Sequence, residues 1–165
     1  ALLLVMKQYT FKEITVTQIA QEAKLSRKTF YRLFSGKADV LTLLFDGLFY
    51  DCLSQIKEQK VHSYWDVVQL YFNFWEERKD LMILMQKSDL LPLVFEYSYQ
   101  HSMEVFEQVR SNQVMLSFAL PLPYMLAYSV GGMHSMLLKW VEKGMSIPSA
   151  ELIQQLKTGF QSADI

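Results

Sequence analysis

Apolar positions recur three or four residues apart along almost the whole chain, as at Trp65, Val68, Phe72 and Trp75 or at Phe95, Tyr99, Met103 and Phe106. Strict alternations are few, and no Asn-Gly or Asp-Gly pair marks a hairpin. The pattern predicts an all-α chain of about nine helices: Leu2 to Tyr9, Val16 to Ala23, Arg27 to Leu33, Lys37 to Lys60, Tyr64 to Arg78, Leu81 to Lys87, Pro92 to Asn112, Pro123 to Lys143 and Ser149 to Phe160. Three short helices precede the longer ones. No repeat at solenoid spacing is present, and no Pro- or Ser-rich linker follows the short helices. The helix from Lys37 is therefore expected to belong to both parts and to join them mechanically.

The first part carries complete start signals. Thr15 is placed to cap a helix with Gln18 reaching back to it, and Ile14 to staple onto Ile19. Ser26 caps the next helix, where Leu25 can pack on Phe30. The two helices start eleven residues apart with only Lys24, Leu25 and Ser26 between them, and Ala20 and Ala23 permit a close crossing. That is helix-turn-helix geometry. With Arg27 at zero on a wheel of about 100° per residue, Tyr31, Lys28 and Arg32 fall at about 40°, 100° and 140°. Phe34, Phe30 and Leu33 fall at about 340°, 300° and 240°, so one side is expected to anchor the helix and the other to present cations and a phenol.

Charge sharpens this. Residues 1–45 hold seven basic side chains against three acidic, a surplus of +4, while the whole chain stands at −1, which leaves −5 on the remainder. A basic head on an acidic body points to a polyanion at one end only. Arginine reads guanine bidentately, lysine reaches phosphate or guanine, and Tyr and Thr hydroxyls bond phosphate oxygens. Helix N-termini add N–H groups that favour anions.

From Thr15-Val16-x-x-Ile19-Ala20-x-x-Ala23, through Leu25-Ser26-x-x-Thr29-Phe30-Tyr31-x-x-Phe34, to Lys37 and Leu41, the chain resembles the TetR family of bacterial transcriptional regulators. The resemblance implies a three-helix DNA-binding head over residues 1–45, and a body over residues 46–165 that binds an effector and dimerises through its last two helices. It implies recognition-helix contacts from Ser26, Arg27, Lys28, Thr29, Tyr31 and Arg32, and phosphate contacts from Thr15, Thr17 and Lys37. The function so implied is a homodimeric repressor, released from a palindromic double-stranded operator by a small, partly apolar effector. Two positions depart from the family, which often has glycine where this chain has Lys24 and Lys28. A left-handed lysine at 24 would cost on the order of 1 kcal/mol. The opening ALLLVM reads as starting partway along a first helix.

In the body, Phe72, Trp75, Met85, Phe95, Tyr99, Met103, Phe106 and Tyr128 are candidate pocket residues, with Tyr99, Tyr128, His101 or His134 as polar handles. Residue by residue, ordinary core packing accounts for the same side chains. Gly131 and Gly132 cost a helix about 1 kcal/mol each and call for a reason such as close helix approach.

Other classes find less support. Hydrophobic residues make up 51% and charged residues 20%, which excludes disorder by composition. The single Cys52 cannot form an internal disulfide, so a cytoplasmic home is expected, and it has no neighbouring cation in sequence to activate it. The uncharged run from Ser111 to Leu138 is broken by Pro121, Pro123 and other polar residues, and no membrane span is expected. His62, His101 and His134 lie far apart, no H-E-x-x-H or G-x-S-x-G occurs, and Ser35-Gly36-Lys37 lacks the earlier glycine of a phosphate loop. Neither metal, cofactor nor catalysis is expected. A helical interaction protein whose head no longer reads DNA is the alternative from another class.

Overall fold

The computed structural model describes residues 1–59, 61, 63–111 and 121–162. Lys60 and Asn112, two of the expected helix ends, and His62 lie outside them. Ten helices and no strand occur among the described residues.

Helix α1 (Leu2–Met6) is short and buries Leu2, Val5 and Met6. It stops before the expected Tyr9, and the chain turns through residues where Thr10 gives both its N–H and its hydroxyl to the Glu13 carboxylate. Helix α2 (Val16–Glu22) starts with the complete capping box between Thr15 and Gln18. It ends in a Schellman turn, with the Leu25 N–H on the Ala20 carbonyl at 2.8 Å, the Lys24 N–H on Gln21 at 3.0 Å, and Lys24 left-handed at φ 55°. Helix α3 (Arg27–Leu33) is capped by Ser26 and ends where Phe34 turns extended. Helix α4 (Lys37–Glu58) runs unbroken across the expected head and body. Its first turn is fixed by Asp39, which accepts from the Ser35 N–H and hydroxyl at 2.6 Å each.

The body continues with α5 (Tyr64–Glu76), α6 (Lys79–Lys87), α7 (Leu91–Gln100), α8 (Ser102–Ser111), α9 (Leu122–Glu142) and α10 (Ser149–Ser162). One expectation is corrected here: the stretch from Pro92 is not one helix but two. His101 leaves helical geometry at φ −98°, ψ 7°, with its ring 4.2 Å from that of Phe49 and 4.8 Å from that of Tyr97. The Ser102 hydroxyl donates to the Tyr99 carbonyl at 2.7 Å. The break lets α7 pack on α9 and α8 on α4.

A single apolar core joins the two parts. Leu2, Met6, Ile19 and Phe30 belong to the same buried cluster as Phe72, Met82, Met85, Leu137 and Ile153. The start of α10 is tied to α5, where Ser149 gives its N–H and hydroxyl to Glu76. Trp140 closes the turn after α9 by donating Nε1–H to the Ile147 carbonyl at 2.9 Å. No helix among the described residues is long and apolar enough to cross a membrane.

Candidate nucleic-acid interface and cavity

The outward side of α3 presents Arg27, Lys28, Tyr31 and Arg32, all exposed. The Arg27 guanidinium lies over the Tyr31 ring, 5.9 Å from its centroid, which lines up the cation and the phenol along the helix. Phe30 is fully buried beneath them, edge-on to Tyr31 at 5.6 Å and 5.3 Å from Phe34. Leu33 corrects the expected anchor: it is 59% exposed. Its place on the wheel is at the margin of the buried arc, and it sits in the last turn of a seven-residue helix that packs mainly on α2.

The hydroxyls are more committed than the sequence suggested. Thr15 donates its hydroxyl to Gln18 Oε1 at 2.8 Å and accepts the Gln18 N–H, so its single donor is used inside the capping box. The Ser26 and Thr29 hydroxyls are paired with each other at 2.9 Å, and Thr17 is half-buried. Both caps satisfy the N–H three residues on, Gln18 for Thr15 and Thr29 for Ser26.

Lys37 is placed differently from a phosphate contact. Its ammonium turns inward and donates to the carbonyls of Phe11, Lys12 and Ile14 at 2.8, 2.9 and 2.7 Å, with the Phe11 ring 5.0 Å away. An ammonium has three donors, and all three are engaged. Lys37 thus ties the start of α4 to the loop between α1 and α2. The Phe11 N–H meanwhile donates to Ser88 Oγ, just beyond α6, at 3.0 Å. This bond links the head to the body at a second place. No sequence period encodes the shape of that loop, so neither tie was legible beforehand.

The body encloses a cavity of about 150 Å³ between α4, α5, α7, α8 and α9. Phe45, Leu48, Phe49, Cys52 and Ile56 of α4 form one wall, and Tyr64, Val67, Leu70, Tyr71, Phe74 and Trp75 of α5 another. Val94, Tyr97 and Ser98 of α7, Ser102, Val105, Phe106 and Val109 of α8, and Met125, Leu126, Ser129, Val130 and Met133 of α9 complete it. Of the eight expected pocket residues, Trp75 and Phe106 line it and the other six do not. Phe72 and Met85 are fully buried core, Phe72 against Trp140 at 5.7 Å. Phe95 stacks on Tyr99 and lies 5.0 Å from the His134 ring. Tyr99, Met103 and Tyr128 are 48%, 45% and 68% exposed. The break at His101 is the reason for part of this, because it removes the continuous stripe from Phe95 to Phe106.

The polar atoms of the cavity wall are also different from those expected. Tyr71 Oη and Trp75 Nε1 are buried without a partner at hydrogen-bond distance among the described residues, although Ser98 and Trp75 both approach the Tyr71 hydroxyl. Burial pushes the Tyr71 hydroxyl far above the usual phenol range and the Cys52 thiol up to about 11. The Tyr97 hydroxyl donates to Asp46 of α4, and burial together with that carboxylate pushes it up to about 12. His134 lies outside the cavity lining, buried, with Nδ1 unpartnered among the described residues and its pKa lowered by burial.

These features agree with the comparisons to known proteins. A family model described as bacterial regulatory proteins, tetR family, matches residues 4–44, and one described as transcriptional regulator C-terminal region matches residues 63–161. No curated protein and no solved structure matches the chain. An exposed cationic helix behind a capped helix-turn, in a head that one model matches and on a helical body that the other matches, places the chain in the TetR family of DNA-binding transcriptional regulators.

Proposed function

We propose that the chain acts as a homodimeric repressor that holds a palindromic operator through Arg27, Lys28, Tyr31 and Arg32, and releases it when a small effector enters the body cavity. The observation that carries this reading is the reach of α4. Its first residue is bonded into the head loop, and five of its later residues wall the cavity. An occupant that displaces that wall moves the head with it. A ligand shifts such an equilibrium only by its differential affinity for the two arrangements. Two recognition helices must sit about 34 Å apart to enter successive major grooves, so small rotations of each head suffice to lose one contact. The second copy would pack along α9 and α10, where Tyr124, Tyr128, Gly132 and Ser135 are exposed. Backbone N–H groups at the starts of α2 and α3, together with Thr17, would hold flanking phosphates. Such a protein works in the cytoplasm.

Selection of bound duplexes from a random pool tests this directly. An inverted repeat is expected, and its complex should dissociate on adding a cavity ligand. Recovery of no preferred sequence would leave the interaction-protein alternative standing instead.

A further inference from the structure

The cavity is specific about charge. Among the described residues, none that lines it is Asp, Glu, Lys, Arg or His, and that lining is almost wholly aromatic and aliphatic. An ionised ligand would be desolvated there with no counter-charge to meet it. At about 150 Å³ its inner space suffices for a single benzene-sized ring, and it is partly open to solvent. Finally, it is incomplete in one respect: Tyr71 Oη and Trp75 Nε1 of the α5 wall are buried with no partner at hydrogen-bond distance among the described residues, although Trp75 and Ser98 both approach the Tyr71 hydroxyl. Trp Nε1 can only donate, and the tyrosine hydroxyl has one O–H to give. Buried donors of this kind are expensive to leave unmet.

We infer that the effector is an uncharged, single-ring compound with one hydrogen-bond acceptor, such as a carbonyl oxygen, directed at Tyr71 and Trp75. This deepens the repressor reading and rests on it for the word effector, but the ligand class follows from the cavity alone. Tyr71 already lines the cavity, and Ser98 stands near its hydroxyl. The neutral state of the Cys52 thiol and the tyrosines keeps the wall uncharged at physiological pH.

The test is calorimetry on the purified full chain without DNA, using acetophenone, ethylbenzene and benzoate. Acetophenone and ethylbenzene have similar shape and differ in the acceptor, while benzoate carries a charge. Acetophenone is expected to bind about tenfold tighter than ethylbenzene, the ratio one hydrogen bond supplies, and benzoate not measurably. In Trp75→Phe with Tyr71→Phe, the preference for acetophenone over ethylbenzene should disappear, whatever the change in the affinity of both. Equal binding of the first two by the native chain, benzoate binding as well as acetophenone, or binding of none would overturn the inference. The native series needs no variant to fold. If acetophenone binds as expected yet the operator complex persists, the repressor reading fails while the ligand class stands.

Discussion

Lys24 holds a conformation that glycine adopts without steric cost. Its φ of 55° closes the turn between α2 and α3, and its side chain is exposed with nothing to compensate. Lys24→Gly is expected to stabilise the chain by about 0.5–1 kcal/mol, raising the melting temperature by about 1–4 °C in a scanning calorimeter. This turn was foreseeable because the family motif marks the position. His134 was not placed by the sequence, since a histidine on an apolar helix reads equally well as handle or core. Burial lowers its pKa below 6.5. Above that value neither folded nor unfolded chain binds the proton, and below it the unfolded chain binds first, so stability is lost as pH falls from 6.5 through the folded value. His134→Leu should flatten the stability profile between pH 7 and 5, read by urea denaturation at each pH. The carboxylates of Glu13 and Asp39, also lowered, titrate further down and leave that window clear.

Helices were legible where their ends carry caps, as at Thr15 and Ser26, and misread where a ring contact decides. The break between α7 and α8 depends on His101 meeting Phe49 from α4, a contact 52 residues distant that no local period reports. The expected pocket residues and the lining of the cavity differ for the same reason. Helical stripes say which side is apolar, but not which apolar side faces a void. Two expectations concern α4. Lys37→Ala should cost about 1–2 kcal/mol, as charged hydrogen bonds at a partly exposed site do. It should lower the melting temperature while leaving the salt slope of operator binding unchanged. A lost phosphate contact would instead reduce that slope by about one. Tyr97→Phe removes the bond to Asp46 that joins a cavity wall to α4. It should leave ligand affinity within about threefold, since the hydroxyl is already engaged away from the ligand, yet weaken the effect of ligand on operator release in a titration.

At the scale of the whole molecule, the charge asymmetry between head and body was readable from composition, and the single core running through both was not. The long-range salt sensitivity follows from the first. Arg27→Ala with Lys28→Ala should erase the preference for operator over random duplex and lower the steepness of the salt dependence, measured by fluorescence anisotropy. The proposed self-association would use the exposed side of α9. A Cβ built on Gly131 or Gly132 meets nothing within 4 Å among the described residues, so no approach between them accounts for either glycine. Tyr128→Glu, at a side chain 68% exposed, should therefore leave the helical content intact and yield a monomer at micromolar concentration by light scattering.

The pair of attachments between head and body has a kinematic consequence. One lies where α4 leaves the head, and the other where the Phe11 N–H meets Ser88. The apolar core shared by the two parts leaves the head no free swing, so the bond at Ser88 steadies only the loop that carries Phe11. Ser88→Ala should loosen that loop and leave the head seated where it is.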